Sequence, residues 1–172
     1  YDIAQKPKFE ARFGNLWVGK HPTPLQGAYQ ILSLDFSRVS GQADRLAINF
    51  NNYCCGALDD FAFVYEAYYY PGFKQEMKEQ PDATTKINFL DRQARNCGAR
   101  LYLIIDEYDN FTNVVLNEQG DEAYHSLTHA SGFYCDVFKM FKGMFERIFM
   151  TGVSPITLDD LTSGFNIGWN IR

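Results

Sequence analysis

The sequence is short of several features, and each shortage excludes a class of protein. No apolar run approaches the roughly 20 residues that span a bilayer, so no membrane partner is expected. No basic segment followed by an apolar stretch opens the chain, so no secretory leader is read there. The first residue is Tyr1 rather than Met, which leaves room for processing or truncation upstream. Only four cysteines occur, Cys54, Cys55, Cys97 and Cys135, and no two have CxxC spacing. That spacing gives a zinc framework little support, and four cysteines are too few for a disulfide scaffold. The expectation is a cytoplasmic protein with reduced, mostly buried cysteines. Only three histidines are present. His125 and His129 have the spacing of a zinc-protease helix, but Ser126 stands where that chemistry needs Glu, and no third ligand is evident. They read as surface or capping residues. No Gly-x-Ser-x-Gly nucleophile elbow is present. Basic charge is in deficit, with 16 Lys and Arg against 21 Asp and Glu, a net −5. That argues against a broad nucleic-acid surface. Arg92, Arg95 and Arg100 read as a solvated helix face.

What is present fits one ordinary domain of 172 residues. With 46% hydrophobic and 22% charged residues, the chain has globular composition rather than that of a disordered segment. Its 15 Phe, 11 Tyr and 2 Trp supply ample area for a core.

Along the chain, strand-like and helix-like patterns alternate. Residues 1–27 read as irregular, with Pro7, Pro22 and Pro24 as breakers. Residues 29–36 read as a strand ending at Asp35. From 43 to about 69, apolar residues at three-and-four spacing predict a long amphipathic helix, stopped by Pro71-Gly72. A polar linker is expected through Pro81. Asp82 or Thr84 caps a second helix whose buried face is Ile87, Leu90, Ala94 and Cys97, and Gly98 ends it. Residues 100–106, Arg-Leu-Tyr-Leu-Ile-Ile-Asp, form a short apolar run suited to a buried parallel strand. Residues 107–119 read as a loop. A third helix is expected over 121–144, interrupted near Ser131-Gly132, then a third strand at 147–151 and a polar tail with a helical piece near 158–161. Helices between strands demand crossovers and a parallel sheet. The expected class is therefore α/β, a three-layer sandwich.

The most informative segment is 101–109, where an apolar strand runs into Asp106-Glu107-Tyr108-Asp109. That is the form of a Walker B element. An Asp at the carboxyl end of a central strand can hold Mg²⁺ through water, and the following Glu can polarise the water that attacks a γ-phosphate. Ligands in open α/β sheets bind at that end of the strands. Thr151-Gly152 ends the third strand, where a polar residue can touch phosphate or the lytic water. A phosphate loop is the part not found. Gly14 to His21 superficially fits Gly-x-x-x-x-Gly-Lys, but no strand precedes it and prolines follow. The motif counts only between a strand and a helix.

Residues 101–111 (LYLIIDEYDNF), 147–167 (RIFMTGVSPITLDDLTSGFNI) and 13–37 (FGNLWVGKHPTPLQGAYQILSLDFS) together resemble the AAA-ATPase-like domain of bacterial proteins within the P-loop NTPase superfamily. The resemblance implies an ATPase-like fold with Mg²⁺ and ATP as cofactors. Carried over by position, Asp106 resembles the Mg²⁺-side acid, Glu107 the water-activating acid and Thr151 the sensor. Asp109 matches the last acid of the DEYD segment, and Asp35 the acid that ends the second strand; both are expected on the cofactor side. In that family the phosphate loop lies upstream of the position of Tyr1, and a nuclease-like domain lies downstream. The strands present would be 2, 3 and 4 of the order 5-1-4-3-2, with 1 and 5 missing. Three expectations follow. The chain is the Walker B and sensor portion of an ATPase and binds ATP weakly by itself. Alternatively it is a non-catalytic interaction module that pairs, with a partner or a second copy, through an open sheet edge. The third reading, part of a nuclease-linked protein, rests only on the companion domain.

Overall fold

The computed structural model describes residues 1–39, 45–110 and 133–153. Three parallel strands lie in the order β1 (Gln30–Asp35), β2 (Leu101–Asp106), β3 (Arg147–Met150). The helices are α1 (Lys6–Phe13), α2 (Trp17–Lys20), α3 (Leu46–Tyr65), α4 (Phe73–Glu79), α5 (Ala83–Cys97) and α6 (Phe133–Met144). The α/β class and the parallel sheet agree with the pattern read from the sequence, and β2 lies in the middle.

The packing follows from strand period and helix period. Leu32 and Leu34 of β1 share a face with Leu101, Leu103 and Ile105 of β2, and all five are buried. The helices lay their apolar stripes on that face: Phe50, Cys54, Leu58 and Phe61 of α3, Ile87 and Leu90 of α5, and Val137, Phe138 and Phe141 of α6. The opposite face is half-buried at Ile31, Tyr102 and Ile104 and open at Ser33 and Phe149, the last 46% exposed. Neither α1 nor α2 buries a side chain. Among the described residues the fold therefore has two principal layers, not three. The reason is topological. Parallel crossovers are right-handed, and crossovers that step in one direction deliver their helices to one face. The order β1-β2-β3 never reverses.

Two segments read as irregular are helical. Pro7 lies in the first turn of α1, where the missing amide hydrogen costs nothing, so it starts a helix instead of breaking one. The expected linker after Gly72 contains α4, because Phe73 and Met77, four apart, are both fully buried. Phe73 stacks on Tyr69 at 3.8 Å between ring centroids and on Phe89 at 5.7 Å. Helix α5 begins as expected. The Asp82 carboxylate accepts from Thr85 N at 2.8 Å, and Thr85 Oγ1 accepts from Asp82 N at 3.2 Å. Gly98 ends it at φ 69, a left-handed conformation that favours glycine. Cys97, expected on the buried face, is exposed; Cys54 is buried and Cys55 half-buried. Cys135, His125, His129, the interruption near Ser131 and the tail helix lie outside the described residues or their described side chains. Lys86 is 3% exposed, and its Nζ donates to Asp59 Oδ1 at 2.7 Å and to the Met77 carbonyl at 2.6 Å. One buried cation thus ties α5 to both α3 and α4.

The two edges of the sheet differ. Gln30 N donates to Arg100 O across the β1–β2 ladder, so the alternate amides of β1 point away from β2. Two of these find tyrosines of α3: Ile31 N donates to Tyr65 Oη at 2.9 Å and Asp35 N to Tyr53 Oη at 2.7 Å. Burial pushes both phenols above the usual tyrosine range. A helix thus caps the β1 edge with side-chain acceptors and blocks further pairing there. Among the described residues, no strand pairs with the outer edge of β3.

At the amino end of the sheet, Tyr29 Oη donates to Glu146 Oε1 at 2.9 Å and accepts from Arg100 Nη2 at 2.9 Å and Arg147 Nε at 3.1 Å. Arg100 also grips Glu146 with two bonds of 2.7 and 2.5 Å. The basic cluster seen in the sequence is thus engaged with acids or rings. Arg95 pairs with Asp91, and Arg92 lies over Phe89. The bonds from Arg100 and then Tyr29 hold the Glu146 carboxyl down to about 2, against 4.5 ordinarily. A depressed carboxyl pKa stabilises the fold above the unfolded pKa, and that stabilisation is lost as pH falls toward the folded pKa. The stability gap between wild type and Glu146→Gln is therefore expected to narrow as pH drops from about 4.5 toward about 2. Urea denaturation of both proteins across that range checks it; a gap independent of pH would refute the assignment.

Candidate functional site

The strand register gathers the polar residues at one edge. Asp35 of β1 lies opposite Asp106 of β2, and Met150 of β3 lies opposite Ile105. Thr151 N continues the ladder by donating to Ile105 O at 2.9 Å. Asp35, Asp106 and Thr151 thus end three adjacent strands in a row. Thr151 Oγ1 donates a hydrogen bond to Asp106 Oδ1. The same oxygen accepts from Glu107 N at 3.1 Å. Both bonds converge on Oδ1, and Asp106, Glu107 and Thr151 are all exposed.

Beyond the strand, the chain makes a tight turn. Glu107 has φ 51, the left-handed region that a residue with a Cβ rarely occupies. Asn110 N closes the turn on Glu107 O at 3.0 Å, and Tyr108 N crosses to Thr151 O at 3.1 Å. Asp109 is 2% exposed, and both its carboxylate oxygens accept from Val153 N, at 3.2 and 3.1 Å. Asn110 Nδ2 donates to Phe36 O at 3.3 Å, which connects the turn to the end of β1.

The residues singled out from the sequence are thus in one place, but in different situations. Asp106, Glu107 and Thr151 form an exposed, mutually bonded group. Asp35 is next to them by register, yet its Oδ1 accepts from Ser37 N at 3.0 Å and Ser37 Oγ at 2.6 Å, fixing the turn after β1. Asp109 lies beneath the group, buried. The sequence assigns no part to Tyr108, Val153 or Tyr53. Their parts depend on backbone atoms meeting across strands, which no linear motif records.

The donor set suits a hard cation held through water. Mg²⁺ keeps several waters and takes one or two carboxylates. Asp106 offers an exposed carboxylate whose Oδ2 has no hydrogen bond among the described residues. Among those residues, no group of three His, Cys, Asp or Glu side chains could enclose a metal directly.

The Gly14 to Lys20 segment lies elsewhere. It begins directly after α1 and contains α2, so it follows a helix and not a strand. Gly14 and Gly19 line a cleft of about 330 Å³ together with Lys6, Phe9, Glu10 and Thr23. Lys6 packs near Gly27, and Ile3 N bonds Tyr29 O, so this cleft borders the amino end of β1. A six-residue strand separates that end from the acids, roughly 20 Å. A phosphate bound there would not reach Asp106.

A parallel sheet whose middle strand ends in an exposed acid pair, with a hydroxyl from the neighbouring strand, places the chain in the α/β class, in an arrangement compatible with a Rossmann-like fold. Within it, the chain belongs to the AAA-ATPase-like family, described as predicted AAA-ATPases, whose model matches residues 1–162. No curated protein and no solved structure matches the chain. No helix among the described residues is long and apolar enough to cross a membrane.

Proposed function

We propose that this chain is the Walker B and sensor portion of an ATP-hydrolysing site. Asp106 holds Mg²⁺ through water, Glu107 polarises the attacking water, and Thr151 senses the γ-phosphate from the adjacent strand. Asp35 borders the nucleotide side and fixes the loop next to the metal. The observation that carries this reading is the hydrogen bond from Thr151 to Asp106 across β2 and β3, with Glu107 exposed beside it. Membership of the family supports ATP as the nucleotide.

The phosphate cradle comes from outside the described residues. The described strands correspond to strands 2, 3 and 4 of the family order. A phosphate-loop strand beside β3 would reverse the direction of stepping. Its crossover helix would then land on the half-open face around Ile31, Tyr102 and Ile104. Nucleotides in open α/β sheets bind where the order reverses, and that point adjoins Thr151. Without backbone amides and a lysine around the phosphates, the chain by itself binds ATP weakly.

Calorimetric titration of Mg-ATP into the chain, repeated with Asp106→Ala, tests this. Little or no heat from either protein is expected. Saturable micromolar binding that Asp106→Ala abolishes would show a phosphate cradle within the chain and overturn the half-site reading. A second reading, a non-catalytic module that docks a partner or a second copy along β3, is favoured by the outer edge of β3, unpaired among the described residues, and by exposed Phe149. A monodisperse monomer in sedimentation velocity would count against it.

A further inference from the structure

Asp109 differs in kind from its acidic neighbours. Asp106 and Glu107 are exposed, whereas Asp109 is 2% exposed, and Val153 N–H points between its two carboxylate oxygens. A buried carboxylate is tolerated only where its lone pairs are satisfied. Here one of the groups satisfying it is the backbone two residues beyond Thr151. The contact therefore joins the turn after β2 to the segment after β3.

Three further observations bear on the same junction. Tyr108 N donates to Thr151 O at 3.1 Å, one residue before Asp109 and two before Val153. At Gly152, an added Cβ would lie 2.4 and 2.6 Å from the Tyr108 ring and 2.7 Å from Asp109 Oδ1. Glycine lets the two segments approach this closely, and Tyr108, the nearest neighbour, is itself buried. Between the junction and β2 sits Glu107, at φ 51. A non-glycine residue stays in such a conformation only where its surroundings over-determine it.

We propose that Asp109 is a positioning residue: by binding Val153 N–H over Gly152, it clamps the turn and holds Glu107 in its left-handed conformation beside Asp106 and Thr151. The inference rests on the reading of Glu107 as the water-polarising acid only for its catalytic meaning; the clamp itself is a property of this chain. The clamp fixes where the Glu107 carboxylate stands relative to the two strand ends. Asp109 acts through the backbone of Val153.

The test uses this chain without nucleotide. Amide–Hα coupling at Glu107 and amide exchange at Tyr108 and Val153 are measured by nuclear magnetic resonance for wild type, Asp109→Ala, Asp109→Asn and Gly152→Ala. In Asp109→Ala, Val153 protection is expected to fall about 10-fold or more, and the Glu107 coupling to leave its left-handed value, with Leu103 and Ile87 amides unchanged. Gly152→Ala is expected to do the same with Asp109 intact. Asp109→Asn keeps a carbonyl acceptor and is expected to restore most of the wild-type signature. An unchanged Glu107 coupling in Asp109→Ala, with Val153 deprotected, would overturn the proposal. So would a loss of protection spread evenly through the core, or an Asp109→Asn that behaves as the alanine variant. Mg-ATP turnover that is insensitive to Glu107→Gln would remove the catalytic reading and leave the clamp standing.

Discussion

Phe36→Ala is expected to lower stability by about 4 kcal/mol, within the range for truncating a buried aromatic. Phe36 is fully buried immediately after Asp35. Its ring meets Phe50 of α3 edge-on at 5.2 Å and Phe138 of α6 at 6.3 Å. It therefore joins the carboxyl end of β1 to the helices on either side of β2 in sequence. The alanine leaves a void that residues on three elements cannot close together, so the cavity cost adds to the lost transfer energy. For a domain of this size the melting temperature is expected to fall by about 10 °C. Phe36→Leu, which fills much of the space, is expected to lose less than half as much. Because Asn110 Nδ2 bonds the Phe36 carbonyl, the acid turn is expected to loosen as well. Denaturant titration of the three proteins decides it. A cost under about 1 kcal/mol for the alanine would mean the site relaxes freely and the junction is not a core contact.

The other large effect is chemical. Where the domain, joined to a phosphate loop, turns over Mg-ATP, Glu107→Gln is expected to reduce kcat by about 10²- to 10⁴-fold, the usual worth of a positioned general base. KM is expected to change little, since the amide keeps the size of the carboxylate and removes only its charge. Glu107 is exposed and is held in a left-handed turn by its neighbours' backbone bonds, so the substitution should not disturb the fold. Steady-state phosphate release separates the outcomes. An unchanged kcat would move the base elsewhere, whereas a raised KM with unchanged kcat would make Glu107 a binding residue.

Much of this site was legible in the linear sequence. An apolar run that ends in Asp106-Glu107 announces a buried strand with acids at its exit, because only a strand covered on its core face tolerates Leu101, Leu103 and Ile105 together. Asp82 and Gly98 fixed the ends of α5 for the same local reason: cap geometry depends on residues within a turn of each other. Failures were local as well. Pro7 has the look of a breaker because its tolerance in a first helical turn depends on where the helix begins. The segment after Gly72 has the pattern of a linker because two buried side chains, Phe73 and Met77, are too few to show a period.

By itself, then, the sequence determined the α/β class, the parallel sheet and the identity of the acids at the end of β2. These rest on periodicity and short-range chemistry, both written within a few residues. The tertiary structure decided which groups share work. It set Thr151 on Asp106, buried Asp109 against Val153, tied Asp35 to Ser37 and gave the amides of β1 to two tyrosines of α3. It also placed the major helices on one face, since strand order, and not residue content, determines where a crossover lands. Those contacts join residues from 18 to 45 positions apart, apart from the short turn at Asp35. Each depends on backbone atoms that meet only once the sheet is assembled.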